Sequence, residues 1–389
     1  MATNNNNKIL NVPNLRFPEF SEDWVQYNCS DLLEFYSTNS LSWEQLDYEN
    51  SELLNLHYGL IHVGLPTLVN IKQNNLPSIK PEFQPKNYTL CKNGDVVFAD
   101  ASEDTNEVAK PIEFYDCSDK QIVCGLHTIH GRDKLNATEV GFKGYAFSSM
   151  PFHHKIRRLA QGSKIYSISS KNFAEVTLGV PTKKEQRKIV DLLSKLDERI
   201  TTQSKIIQKL QSLIKGIVVS VTTETPYTRI DKCLVCHSST LQENQIEKFG
   251  DFPVYGANGI CGYTDNADFK DPAILIVKDG SGVGNVRYVN GKYSVIGTQN
   301  ILTSQNGHCL KYIYFCLQAF NFIPYKTGMA IPHIYFKDYG KAKIYCPNYA
   351  KQIEIAKKIE NIEKKIEIET SLLNKYEEQK KFLLSNLFI

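Results

Sequence analysis

The stretch Cys233-Leu-Val-Cys-His237 has the spacing of a haem-attachment motif, in which two thiols bond the porphyrin and the histidine ligates iron. Covalent haem attachment needs an exported protein with an axial ligand, and a zinc site needs a second pair of ligands that this CxxC lacks. The ten cysteines follow no disulfide-framework spacing, and no export signal accompanies them. Free thiols in a reducing cytoplasm are therefore expected, with no metal. A second stretch, Asp279-Gly-Ser-Gly-Val-Gly-Asn285, follows the strand-like AILIV. A phosphate-cradling loop should open a helix, but the VRYVNGKYSV that comes next reads as another strand, so a hairpin loop that closely approaches a partner or its own backbone is expected. A third, HHKIRRLAQGSK, gathers His153, His154, Lys155, Arg157, Arg158 and Lys164 in an otherwise acidic region. Such a run clamps phosphates, with an arginine able to grip a guanine edge in bidentate fashion, or else it is a solvated helix face.

Composition narrows the class. With 42% hydrophobic and 22% charged residues the chain reads as soluble and globular, and it is long enough for two domains. No run of about 18 apolar residues suggests a membrane span. The formal charge of +3 does not advertise a polyanion partner. Residues 1–180 hold 16 basic against 21 acidic side chains, whereas 181–221 hold 9 against 4. The opening MATNNNNKIL reads as a solvated tail without a signal-peptide core.

The elements that would position these groups are duplicated. PTKKEQRKIVDLLSKLDERI begins at Pro181, and PNYAKQIEIAKKIENIEKKI begins at Pro347, 166 residues later. From Ile189 to Val221, steps of four and three residues trace a seam with nine of ten positions apolar; the same register from Ile355 to Leu387 has eight of ten, counting Tyr376. This is a coiled-coil heptad. Each helix starts just after a proline, which suits a first turn. The polar interruptions, Gln203 and Glu369, lie at matching positions, so an antiparallel pair would bring them together and fix the register. The repeat extends backwards, pairing Gly162 with Gly328, Ile168 with Ile334, Lys171 with Lys337 and Phe173 with Tyr339. Each helix is preceded by a short β-like run, FAEVTLGVP or YGKAKIYCP, and GDVVFAD matches PAILIVKDG at an offset of 179. SWEQLDYENSELLNLHYGL and LKYIYFCLQAF read as helical, whereas VVFA, KIYSI, AILIV, VRYV and YSVIG read as strands.

PNLRFPEFSEDW at the start, FPVYGANGICGYTD at 252–265 and VKDGSGVGNV at 277–286, in that order and joined to the half-length repeat, resemble the specificity subunit of type I restriction–modification systems. The resemblance covers nearly the whole chain after the first dozen residues. It implies a mixed α/β fold: two globular target-recognition domains separated by a long two-helix antiparallel coiled coil, with a pseudo-two-fold repeat. The expected layout is a disordered tail at 1–12, recognition domains at 13–181 and 222–347, and coiled-coil helices at 182–221 and 348–389. Each domain would read one half of an asymmetric bipartite site on double-stranded DNA. The helices would set the spacer and dock two copies of a methyltransferase subunit, beside a motor-nuclease subunit.

The resemblance also implies that the chain itself is noncatalytic and binds no cofactor, with S-adenosylmethionine and ATP on the partner subunits, in the cytoplasm as phage defence. No Asn-Pro-Pro-aromatic methyltransferase motif and no G-x-x-x-x-G-K-[ST] loop is found. In the second module Tyr255, Asn258, Lys278, Ser281, Asn285, Arg287 and Lys326 are the DNA-contact candidates. The first module lacks a clear counterpart of VYGANGICGY; LHYGLIHVGLPTLVN stands in its place, remodelled. Two other readings remain open: a coiled-coil protein–protein adaptor without DNA readout, and a haem or redox role at Cys233 and Cys236.

Overall fold

A computed structural model describes residues 11–389 except 50, 51, 163, 223, 225, 329 and 330. The chain divides into unit 1, residues 1–202 with 373–389, and unit 2, residues 203–372. Of the tail expected at 1–12, residues 1–10 lie outside the described residues. Asn11 is no loose tail, because its side chain donates to the Trp24 carbonyl at 2.9 Å and its own carbonyl accepts from the Trp24 amide at 3.0 Å.

Unit 1 contains strands β1 (Val25–Asn28), β2 (Leu33–Tyr36), β3 (Leu68–Asn70), β4 (Val96–Ala99), β5 (Pro111–Asp116), β6 (Thr128–Asp133) and β7 (Thr177–Val180). Five of them form a sheet in the order β2–β6–β4–β5–β3, while β1 pairs antiparallel with β7 and closes the start of the module onto its end. A second sheet joins Gln121–Cys124, Leu53–Leu56, Ser78–Ile79 and Leu46–Asp47. Strand β4 is VVFA because both its faces are covered: Val96 and Phe98 enter one core, Val97 and Ala99 another. The first of these cores also holds helix α1 (Phe142–Phe147), helix α2 (Met150–Leu159) and the start of α3 (Lys183–Thr222).

Unit 2 repeats the frame. Strands β8 (Tyr227–Arg229), β9 (Leu234–Ser238), β10 (Ala273–Val277), β11 (Val286–Val289), β12 (Gln299–Ser304) and β13 (Lys343–Tyr345) give a sheet β9–β12–β10–β11 and a closing pair β8–β13. Helix α4 (Leu310–Gln318) and the start of α5 (Tyr349–Asn386) cover the face that carries Ile274 and Ile276, whereas Ala273 and Leu275 belong to the opposite core.

Each long helix is locked to its module by one glutamine five residues after the proline. Gln186 donates to the Pro181 carbonyl at 2.8 Å and accepts from the Glu139 amide at 2.7 Å; Gln352 donates to Pro347 at 2.8 Å and accepts from the Cys309 amide at 2.9 Å. Both are buried and leave no amide group unsatisfied beside the apolar core. Arg16, from the LRFPEF stretch, forks onto the buried Glu185 at 2.8 Å.

The helices pair antiparallel in each unit. In unit 1 the late residues Leu383 and Leu387 share a core with the early Ile189, Leu193 and Leu196. In unit 2 the early Ile355 and Ile359 pack with the late Val218 and Val221. Every position of both heptad seams is buried or half-buried. Gln203 donates from Nε2 to the Glu369 carbonyl at 3.1 Å and also to its carboxylate, with the two residues 6% and 7% exposed.

Two readings are corrected. SWEQLDYENSELLNLHYGL is not one helix: it holds a 3₁₀ turn at Trp43–Gln45, strands at Leu46–Asp47 and Leu53–Leu56, and a short helix at Tyr58–His62. Leu53–Leu56 is buried throughout between two neighbouring strands, so its apolar run carries no alternation to distinguish it from a helix. The offset of 179 between GDVVFAD and PAILIVKDG becomes 178, because Ala99 faces Thr128 across its ladder as Val277 faces Gln299, and Asp100 receives the Ile168 amide as Lys278 receives that of Ile334. An odd offset would swap the two faces of the strand.

Candidate nucleic-acid interface

In unit 2 the glycine stretch joins antiparallel strands β10 and β11 and opens no helix. Gly280 and Gly284 both sit at φ +93°, the left-handed region that a tight loop needs and side chains resist. Lys278 is half-buried at the loop's start, while Ser281 and Asn285 are exposed on it. The neighbouring Asp279 holds His333 Nδ1 at 2.6 Å, and Gly280 donates to Pro332 O at 3.1 Å, which ties this loop to the 327–333 hairpin. Lys326 is exposed at the root of that hairpin.

A second hairpin pairs Phe252–Gly256 with Gly259–Thr264 and turns at Ala257-Asn258, so Asn258 stands exposed at its tip. Half-buried Tyr255 packs edge-on against Tyr293 at 5.9 Å, and the Arg287 guanidinium lies 6.0 Å from its ring centre. Gly259 makes room for that arginine: a Cβ there would come within 3.1 Å of a guanidinium nitrogen. The segment Ile296–Thr298 links the two loops, since Ile296 donates to Tyr255 O at 3.0 Å and Lys278 donates to Thr298 O at 2.9 Å. The structure thus gathers the unit 2 candidates at one end of a sheet, with Arg287 partly desolvated over an aromatic ring.

Unit 1 treats its basic run differently. In α2 the buried Phe152 and Ile156 face the core, which leaves His154, Arg157 and Arg158 exposed. His153 points inward, and burial holds its imidazole down to about 4, so it is neutral at pH 7. Lys155 donates to the Thr177 carbonyl at 3.0 Å and hydroxyl at 3.1 Å, fastening α2 to β7; burial lowers its pKa. Neither of these two offers a free surface cation. Lys164 is exposed on the hairpin of the Gln161–Ser167 bridge, the counterpart of the 327–333 hairpin. Where unit 2 has Lys278, unit 1 has Asp100, whose carboxylate lies 3.2 Å from His127 Nδ1.

Sequence reasoning missed an aromatic and histidine group in unit 1. Trp43 and His57 meet as tilted rings at 4.4 Å, His57 and Tyr58 likewise at 4.7 Å, and His127 meets Tyr58 edge-on at 5.3 Å. Burial and the neighbouring His127 both lower the His57 pKa. The signal was present as Leu41-x-x-x-Gln45-Leu46 against Leu241-x-x-x-Gln245-Ile246. Gln45 and Gln245 each accept from the backbone amide three residues earlier, at 2.8 and 2.9 Å. His57-Tyr-Gly then aligns with Val254-Tyr-Gly.

The haem-like motif does not converge. Cys233 is buried and faces Cys346 at 3.8 Å, while His237, on β9, pairs with the Thr303 hydroxyl at 2.9 Å. Among the described residues no helix is long and apolar enough to cross a membrane.

The family model described as type I restriction modification DNA specificity domain matches residues 117–212 and 235–378. The type I restriction enzyme EcoprrI specificity subunit of Escherichia coli is 26% identical over 105 residues, 27% of this chain. That match spans about a quarter, 26%, of the relative's own length. The S subunit of a type I restriction–modification system from M. genitalium superposes with a TM-score of 0.60 at 17% identity, covering 97% of this chain and 99% of that one. A chain from a study of complex assembly and conformational transition of the type I R-M system gives 0.58 at 12% identity, covering 93% and 96%. These two share the fold.

Proposed function

The chain belongs to the type I restriction modification DNA specificity family, and on that premise we propose that it is the noncatalytic subunit that chooses the DNA site of a cytoplasmic restriction–modification complex. Residues 13–181 and 222–347 each read one half of an asymmetric bipartite site. The helical segments 182–221 and 348–389 set the unread spacer and dock two methyltransferase subunits. S-adenosylmethionine and ATP belong to the methyltransferase and motor-nuclease partners. The observation that carries this reading is the duplicated sheet end: the Gln161–Ser167 and Thr327–His333 bridges, with Gly162 and Gly328 both at positive φ, present equivalent loops in the two units. Half-sites read by such paired modules lie roughly one helical turn, about 34–36 Å, apart on one side of the duplex.

In unit 2 the readers are Arg287, Asn258, Ser281 and Asn285, with Lys278 and Lys326 on phosphates. In unit 1 they are the Trp43–His57–Tyr58–His127 group, with Arg157, Arg158 and Lys164 on the backbone. Co-expression with an adenine methyltransferase subunit, followed by mapping of methylated adenines, tests the reading. A bipartite motif is expected, and matched one-heptad insertions in both helices should shift the accepted spacer. Methylation without a bipartite motif, or a spacer indifferent to matched insertions, would refute it.

A further inference from the structure

We propose that unit 1 carries a structural zinc site made by Cys91, Cys124 and His130, far in sequence from the CxxCH stretch. The two sulfurs lie 3.4 Å apart, and a ring nitrogen of His130 falls within 4.8 Å of both. The cluster is built at a crossing of backbones: the Cys91 amide donates to Ile122 O at 2.8 Å beside the strand that ends at Cys124, and His130 comes from β6. Two thiolates and an imidazole form a soft donor set that favours zinc over calcium or magnesium.

The histidine supplies the independent observation. It is fully buried, and its Nδ1 has no hydrogen-bond partner among the described residues. Its Nε2 lies 2.8 Å from Asp95, whose carboxylate is in turn held by Arg132 at 2.7 Å on both oxygens. A carboxylate on one ring nitrogen fixes the tautomer and turns the other nitrogen into a ligand, the usual support of a metal-bound histidine. An unpaired buried ring nitrogen is otherwise costly.

Charge balance agrees. Loading displaces the Cys91 and Cys124 thiol protons, so two thiolates neutralise the dication, and Asp95 is already balanced by Arg132. The apolar core around Val97, Phe114 and Ile122 would gain no net charge.

Unit 2 provides an internal control. Cys233, His308 and Cys346 also come within 4.8 Å of one another. There His308 is only half-buried, and its Nδ1 already lies 3.4 Å from both Cys346 Sγ and the Gln352 amide nitrogen that helps lock α5. The same ligand types are present with the nitrogen engaged, so no metal is assigned to them.

The test is elemental analysis of the full chain purified under reducing conditions. About one equivalent of zinc is expected. It should fall at least tenfold in Cys91→Ser and His130→Gln and persist in Cys346→Ser, and Asp95→Asn should weaken affinity about 10–100-fold. If the core variants do not fold, the wild-type chain still decides: metal-stripped protein given cobalt should show thiolate-to-cobalt charge transfer and release about two protons per ion bound. Zinc kept by Cys91→Ser but lost from Cys346→Ser overturns the proposal. So does a wild-type chain that gives no such cobalt spectrum, or one isolated with a Cys91–Cys124 disulfide.

Discussion

The two units share a frame and differ in what they bury. Unit 1 hides Asp95, Glu113, His130 and Lys143 at 2% exposure or less. The globular part of unit 2 buries Ser294, Gln299 and Asn300, with no Asp, Glu, Lys or Arg among its described buried residues. The same sheet therefore stands on charge pairing in one copy and on neutral packing in the other. Buried pairs add little net stability when whole and are severe when broken. Unit 1 should then be the more sensitive to single substitutions and to pH, and it can be watched alone: the chain's two tryptophans, Trp24 and Trp43, both lie in it.

The largest break is expected at Lys143. Its ammonium lies 3.2 Å from Glu113 and donates to the Thr138 hydroxyl at 2.8 Å, while the Gly144 amide donates to the other carboxylate oxygen at 2.7 Å. Burial pushes the Glu113 carboxyl up, against the pull of Lys143 and that amide. Lys143→Met should cost about 3–5 kcal/mol in tryptophan-monitored denaturation at neutral pH, because it strands a buried carboxylate. Adding Glu113→Leu should recover most of the loss. A single variant within about 0.5 kcal/mol of wild type would mean that the pair does not key unit 1.

Next in size is a pH effect. His153 is held near 4 in the folded state against an ordinary 6.5, so the unfolded chain binds the extra proton between those values. Stability is full above about pH 6.5 and falls as pH drops toward 4, by at most about 3 kcal/mol from this group. His57 is depressed in the same direction. Tryptophan-monitored melting of unit 1 should decline through this window, and His153→Gln should flatten the decline. An equally steep profile in that variant would assign the proton elsewhere.

What the sequence revealed follows from periodicity. The seam from Ile189 to Val221 and its copy were legible because a solvent-flanked helix keeps one apolar stripe, and Gln203 opposite Glu369 followed from register alone. Leu53–Leu56 was illegible because a strand buried on both faces has no stripe. The Gly162 and Gly328 hairpins could be aligned by their shared offset of 166, yet their role at the sheet end needed β4 and β10 in place. His153 and Lys155 looked like members of one basic run, because nothing in HHKIRRL says which side of α2 faces Phe173 and which faces water. Cys91, Cys124 and His130 lie on three separate segments, and no spacing rule links them.

On the proposed DNA-reading function, Arg287 is the unit 2 side chain expected to meet a base, since Tyr255 and the gap at Gly259 flank its guanidinium. Arg287→Ala should weaken binding of cognate duplex by about 1–3 kcal/mol and relax the choice at one position of the corresponding half-site, with the other half-site unchanged. Methylation mapping at both half-sites measures this. Uniform loss at both would make Arg287 a phosphate anchor.

The finest distinction concerns Lys278 and Asp100, which occupy the same place beyond β10 and β4. A half-buried lysine at a loop root contributes to DNA as a point charge, without sequence information. An aspartate there, paired with His127, cannot touch a phosphate favourably. Lys278→Ala should therefore lower the slope of log affinity against log salt by about one and leave the methylated motif unchanged. Asp100→Asn removes a repulsive charge next to the backbone, so it should leave that slope unchanged or steepen it slightly. Binding titrations over a range of salt concentrations separate the two cases. Equal slopes in the wild-type and Lys278→Ala complexes would place the DNA away from the sheet end in unit 2, and a shallower slope for Asp100→Asn would mean that Asp100 supports a phosphate contact in unit 1 instead of opposing one.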